Sequence, residues 1–203
     1  EVLTQYYEMF KKVQQEKQQQ AEEKGEFYNP LTIATIFSFA ANEERTVDDQ
    51  TGLIEEESAE LPTKISQSNR DKLDQYIAEY NAKFGQNFNS GEEFYPYYRD
   101  IANRVRKKEI DILLVVNMFL TGFDSKPLNT LYVDKNLKYH GLIQAFSRTN
   151  RILNADKPFG NIVCFRNLKQ ATDQALTLFS NRAEAEKIVL IPSFESIKAK
   201  YNA

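Results

Sequence analysis

An apolar run ends in Thr121-Gly122-Phe123-Asp124, and about twenty residues later the chain presents Gln144, Arg148 and Arg151. Read as a helix from about Tyr139 to Leu153, at about 100° per residue, this segment projects the three polar side chains within about 60° of one another. Leu142, Phe146, Thr149 and Leu153 then take the opposite side. One glutamine and two guanidiniums are aimed together at something outside. Planar guanidiniums suit phosphate oxygens, and phosphoryl transfer is catalysed mainly by positioning and charge neutralisation, so a phosphate is one kind of target that such a group can serve. The structural alternatives are a turn acid after Gly122 for Asp124 and a solvated helix stripe for the two arginines.

The surrounding sequence alternates strands and helices. Val2 to Lys24 has an apolar stripe only in its first half, through Leu3, Tyr6, Tyr7, Phe10 and Val13, which predicts a helix docked at its start and solvated at its end. Leu31 to Ala41 reads as a buried strand, Ser66 or Ser68 to Phe84 as a helix stopped by Gly85, and Glu92 to Lys108 as a helix with a basic last turn. Ile110 to Met118 reads as a strand buried on both faces, followed by strands Thr130 to Asp134 and Asn161 to Phe165. Helical sequence returns at Leu168 to Phe179 and Ser193 to Tyr201, with Ala183 to Ile191 as a further helical candidate. The order predicts an α/β fold with a mostly parallel sheet flanked by helices.

The 203 residues are enough for one core with helical appendages, and their 41% hydrophobic content holds no run long enough to span a bilayer. The chain opens on Glu1 without a signal peptide, so a cytoplasmic piece of a longer protein is expected. The lone Cys164, within Ile162-Val163-Cys164-Phe165, predicts a buried reduced thiol. Net charge is −3, but eight acids against Arg45 put −7 into residues 43–60 and leave +4 on the rest. An acidic insert, 43–62, thus masks a mildly basic body. His140 has no second histidine or cysteine nearby, and no metal site is expected. Glu195 and Lys198 form no nuclease constellation.

Taken in order, Thr121-Gly122-Phe123-Asp124 and Gln144-Ala145-Phe146-Ser147-Arg148-Thr149-Asn150-Arg151 resemble motifs V and VI of superfamily 2 helicases. The wider stretch from Asp111 to Leu153 is similar to the restriction (R) subunit of type I restriction-modification enzymes, an ATP-driven DNA translocase, and the likeness extends over about Leu31 to Leu168. The resemblance implies the second RecA-like lobe of the motor at 31–168, with helical extensions at 1–30 and 169–203. It implies that Gly122, Asp124 and Gln144 bind ATP, Asp124 near the ribose and Gln144 near the triphosphate, with Arg148 and Arg151 as catalytic arginine fingers. Thr121 would lie by the DNA path. Ser38 is a second DNA-contacting candidate, in the strand Thr35 to Phe39 matching motif IV, although Ala40 stands where many relatives place a hydroxyl.

No Gly-x-x-x-x-Gly-Lys-Ser/Thr loop occurs, nor an apolar strand ending in Asp-Glu. The phosphate cradle and Mg²⁺ ligands are therefore expected on a first RecA-like lobe of the same polypeptide. The complete protein is expected to use ATP and Mg²⁺ on double-stranded DNA, with methyltransferase and specificity subunits as partners and deoxyribonuclease activity, whereas the isolated chain is expected to be inactive. The other readings are a passive DNA-binding or docking module, and the second lobe of another nucleic-acid remodelling ATPase of the same superfamily.

Overall fold

The computed structural model describes residues 2–37, 67–116, 118–120, 122–155 and 157–179. Ser38, Thr121, the acidic insert and the helix candidates after residue 179 lie outside the described residues.

Helix α1 (Val2–Lys24) buries Leu3 and Tyr7 near its start, as its apolar stripe demands, but leaves Val13, at the end of that stripe, exposed. Gly25, at φ +69°, adopts the left-handed conformation that closes a helix at little cost to glycine. Strand β1 (Ile33–Phe37) follows, then α2 (Gln67–Phe84) and α3 (Phe94–Arg106). Leu73, Tyr76, Ile77 and Tyr80 form the inner face of α2 and meet Phe94, Tyr97, Ile101 and Val105 of α3 in one core. Pro96 falls in the first turn of α3, where its missing N–H is no loss.

Three tyrosines tie these helices together. Tyr97, fully buried, donates to the Thr35 carbonyl of β1 at 2.7 Å. Tyr80 donates to Asp100 at 2.6 Å, and Tyr7 to Glu79 at 2.8 Å. A buried phenol needs a partner, and each of these partners belongs to a different element.

Strand β2 (Ile112–Val116) pairs in parallel with β1, from Ile33 opposite Ile112 to Phe37 opposite Val116. After a loop come β3 (Thr130–Val133), α4 (Tyr139–Phe146), β4 (Asn161–Cys164) and α5 (Lys169–Phe179). β3 and β4 are also parallel, Thr130 opposite Asn161 and Val133 opposite Cys164. Both pairs are joined through helices, as parallel strands require. A second core gathers Val133, Leu137, Leu142, Ala145, Leu168 and Ala175. The fold is α/β, with the parallel pairing of a RecA-like lobe, and no helix among the described residues is long and apolar enough to cross a membrane.

Three expectations are corrected. β2, read as buried on both faces, is only half-buried, with Val116 exposed. β4 is exposed along its whole length, and Cys164 is an exposed thiol, not a buried one. An apolar run shows that a strand can be covered, but covering needs a neighbouring layer, and α4 and α5 do not supply it along β4. Helix α4 stops at Phe146, well short of Leu153, so Arg148 and Arg151 lie beyond the helix and the projection of three residues from one helical face does not apply.

Candidate functional site

The loop after β2 is held by its aromatic residues. Phe119 stacks on Tyr98 with ring centroids 4.3 Å apart and meets Phe123 edge-on at 4.7 Å. Gly122, at φ +64°, takes the backbone through a conformation that side chains disfavour. Phe123 is buried and Asp124 is left facing outwards, its side chain 54% exposed.

Two arginines clamp this loop by its carbonyls. Arg106, from the last turn of α3, donates through Nε to the Asp124 carbonyl at 2.9 Å, with its guanidinium over the Phe123 ring. Arg148 donates through Nη1 to the Phe123 carbonyl, through Nε to the Gln144 carbonyl at 3.1 Å, and through Nη2 to Ser147 Oγ at 3.0 Å. Part of its planar fork is therefore already committed to the chain's own oxygens.

The same bonds explain the end of α4. In a continuing helix the Gln144 carbonyl would accept from the Arg148 backbone N–H. Here Ser147 Oγ donates to it at 2.7 Å and Arg148 Nε also reaches it, while the Arg148 N–H turns back to the Ala145 carbonyl at 3.1 Å. A serine followed by an arginine offers two side-chain donors that compete with the helix ladder, and the last turn tightens and stops.

Arg151 lies beyond this turn. Its Nε is 3.4 Å from Asp124 Oδ1, with the two side chains 59% and 54% exposed. Such an open pair contributes at most about 1 kcal/mol and separates readily for a better partner. Phe123, Asp124, Ser147, Arg148, Asn150 and Arg151 line a cleft of about 210 Å³. Of the residues singled out in the sequence, Asp124, Arg148 and Arg151 thus come together, and Gly122 is adjacent in the chain. The Gln144 side chain does not line the cleft; its Oε1 is buried without a hydrogen-bond partner among the described residues, as is Ser125 Oγ. Thr121 and Ser38 are not among the described residues.

Two further residues were not singled out from sequence. Lys157 is buried, and its Nζ donates to the Thr149 carbonyl at 2.9 Å and to the Arg151 carbonyl. Burial pushes its ammonium below the usual lysine range. Gly160 lies so close to this segment that an added Cβ would collide with the Thr149 carbonyl oxygen. The available signal was the turn-forming Asn154 to Gly160 stretch, which implies a tight return of the chain. Arg106 belongs to the basic last turn expected of α3, and nothing local indicates that it reaches a loop eighteen residues on.

Comparison with known proteins gives the family. A family model described as type I restriction enzyme subunit R domain 3 matches residues 1–167. The chain belongs to the R subunit family of type I restriction enzymes. It is 45% identical over 202 residues to a type I restriction enzyme endonuclease subunit of Staphylococcus aureus (strain COL), covering 98% of this chain and 19% of that protein. A second such subunit, from Staphylococcus saprophyticus, is likewise 45% identical over 202 residues, with the same coverage. The chain therefore spans about a fifth of the length of these R subunit relatives.

Proposed function

We propose that this chain is the second RecA-like lobe of the ATP-driven DNA translocase motor in a type I restriction endonuclease R subunit. The observation that carries this reading is the cleft in which Asp124, from the loop after β2, meets Arg148 and Arg151, from the segment after α4. An exposed guanidinium held, among the described residues, by an open carboxylate pair suits a phosphate that arrives from outside. ATP fits the residues present in one respect: arginine donors and one carboxylate line the same cleft, matching a triphosphate and a ribose hydroxyl. The phosphate cradle and the Mg²⁺ ligands are assigned to the first lobe, because this sequence has neither a phosphate-binding loop nor an Asp-Glu strand end.

In this reading Arg151 exchanges Asp124 for the γ-phosphate and stabilises its charge during transfer, and Asp124 becomes free to accept from the ribose. Arg148 keeps the Phe123 carbonyl and the end of α4 in register, and turns its remaining donors to the triphosphate. Gln144 approaches the triphosphate from α4 after a rotation of its amide. Thr121 and Ser38 belong to the DNA path. Closure of the two lobes on ATP and their reopening after hydrolysis would move the subunit along double-stranded DNA, in the cytoplasm, together with methyltransferase and specificity subunits. The deoxyribonuclease activity of the parent would reside outside this chain.

The test is Arg151→Ala in the complete R subunit, with DNA-stimulated ATP turnover and melting temperature measured on the same preparation. Turnover is expected to fall by about 10³ or more, as for arginine fingers elsewhere, with DNA binding kept. Lysine at this position should restore little, because a point-charge ammonium does not reproduce the planar fork. Near-normal turnover in the folded variant would refute the assignment. It would favour a docking module instead, a reading supported by the exposed apolar side chains Tyr132, Ile162, Val163 and Phe165 on β3, β4 and the residue after it.

A further inference from the structure

We propose that Lys157 is a positioning residue for Arg151, holding the backbone that carries this arginine to the cleft; the inference rests on the function proposed above. The segment from Thr149 to Leu153 belongs to no helix or strand, so its backbone groups need partners from elsewhere. Lys157 supplies them. Its buried Nζ donates to the carbonyls of Thr149 and Arg151, alternate residues whose oxygens converge on the same ammonium. Its own backbone returns to the segment as well, since Leu153 N–H donates to the Lys157 carbonyl at 3.2 Å and Lys157 N–H to the Asn154 carbonyl at 3.2 Å.

The other wall is Gly160, which admits the Thr149 carbonyl where any Cβ would collide with it. Thr149 itself is buried and cannot shift outwards without opening that packing. The chain is therefore fixed on one side by an ammonium and on the other by a backbone contact, while Asn150 and Arg151 between them line the cleft. Among the described residues no carboxylate pairs with Lys157, so its charge is directed at these carbonyl dipoles. A long aliphatic stem with a donor head that can serve two acceptors is what this position uses. A methionine would fill the same space and bind neither oxygen.

The experiment uses the complete R subunit with duplex DNA, comparing the parent with Lys157→Met, Arg151→Ala and the double variant. Displacing a reacting group by about 1 Å is enough to cost roughly 10²-fold in rate, so Lys157→Met is expected to lower kcat by about 10- to 100-fold with KM for ATP little changed. Because Lys157 acts through Arg151, the double variant should turn over no more slowly than Arg151→Ala alone. A residue that merely supports folding would lower the melting temperature and leave kcat per folded molecule intact. Lys157→Gln, which keeps an amide donor, should recover part of the loss and provides a second variant if the methionine folds poorly. The inference is overturned if Lys157→Met turns over normally while Arg151→Ala is inactive, a result that leaves the proposed function standing. It is also overturned if the double variant is much slower than Arg151→Ala, or if both Lys157 variants melt below the assay temperature, which would make Lys157 a folding residue. Normal turnover by Arg151→Ala would remove the function reading and this inference together.

Discussion

Arg148 donates to the Gln144 carbonyl, the Phe123 carbonyl and Ser147 Oγ, whereas among the described residues Arg151 has one open ion pair, with Asp124, so truncation should affect the two differently. Arg148→Ala removes charge-assisted bonds from a partly buried carbonyl and from the end of α4. Bonds of this kind contribute about 1.5–3 kcal/mol each in favourable cases, and the expected loss of stability for the variant is about 2 kcal/mol. Arg151→Ala should cost under about 0.5 kcal/mol, because an exposed pair is worth little. Denaturant melts of the two variants check this difference: equal destabilisation would contradict the distinct anchoring of the two side chains. Turnover in the complete subunit should suffer in both. The double variant should be hardly slower than the worse single one, since groups acting on one transition state are not additive.

Between elements, phenol hydroxyls form the links, and this gives the fold a defined alkaline limit. Burial, followed by the hydrogen bond to Glu79, raises the Tyr7 phenol above its ordinary value of 10.0; burial and then Asp100 do the same for Tyr80, and burial alone for Tyr97. A phenol with a raised folded value stays protonated when its unfolded counterpart has ionised. The unfolded chain then binds fewer protons, so stability is fully present below about pH 10 and falls as pH rises above it. The slope contributed is up to about 1.4 kcal/mol per pH unit for each tyrosine. Urea midpoints at about pH 9 and about pH 11 should show the fall, and Tyr97→Phe should make the slope shallower by about one tyrosine's share. A flat profile through this window would mean that the phenols ionise within the folded protein.

At the scale of the molecule, the proposed function makes the cleft a half-site. Asp124, Arg148 and Arg151 offer edge contacts, without the cradle of backbone N–H groups that usually binds β- and γ-phosphates. The isolated chain is therefore expected to hydrolyse no ATP above background and to bind it weakly, with titration calorimetry and a phosphate-release assay as the checks. Steady turnover by the purified chain, copurifying with it through successive columns, would contradict the single-lobe reading. The exposed apolar residues of β3 and β4 accord with a chain that spans about a fifth of its relatives' length, since parallel strands are ordinarily covered on both faces.

The sequence by itself determined the α/β alternation, the places of α2 and α3 in the chain, and the residue types of the cleft. Each of these is written locally: in apolar periodicity, in Gly25 and Gly85 at helix ends, and in a Gly-Phe-Asp turn followed by Ser-Arg-Thr-Asn-Arg. Tertiary structure decided how the cleft residues come together. Apolar spacing continued through Thr149 and Leu153 and suggested a longer α4, but it carries no information about competition for the Gln144 carbonyl, which Ser147 and Arg148 win. The arginines consequently reach the cleft from a turn and an irregular segment. That segment depends on Lys157 and Gly160, and the facing loop on Arg106, whose contacts join positions distant along the chain or across a return loop. Burial of Cys164 was equally undecidable from its apolar neighbours. A residue's own hydrophobicity sets its preference for cover, but the neighbouring elements decide whether cover is present, and beside β4 the described ones leave it open.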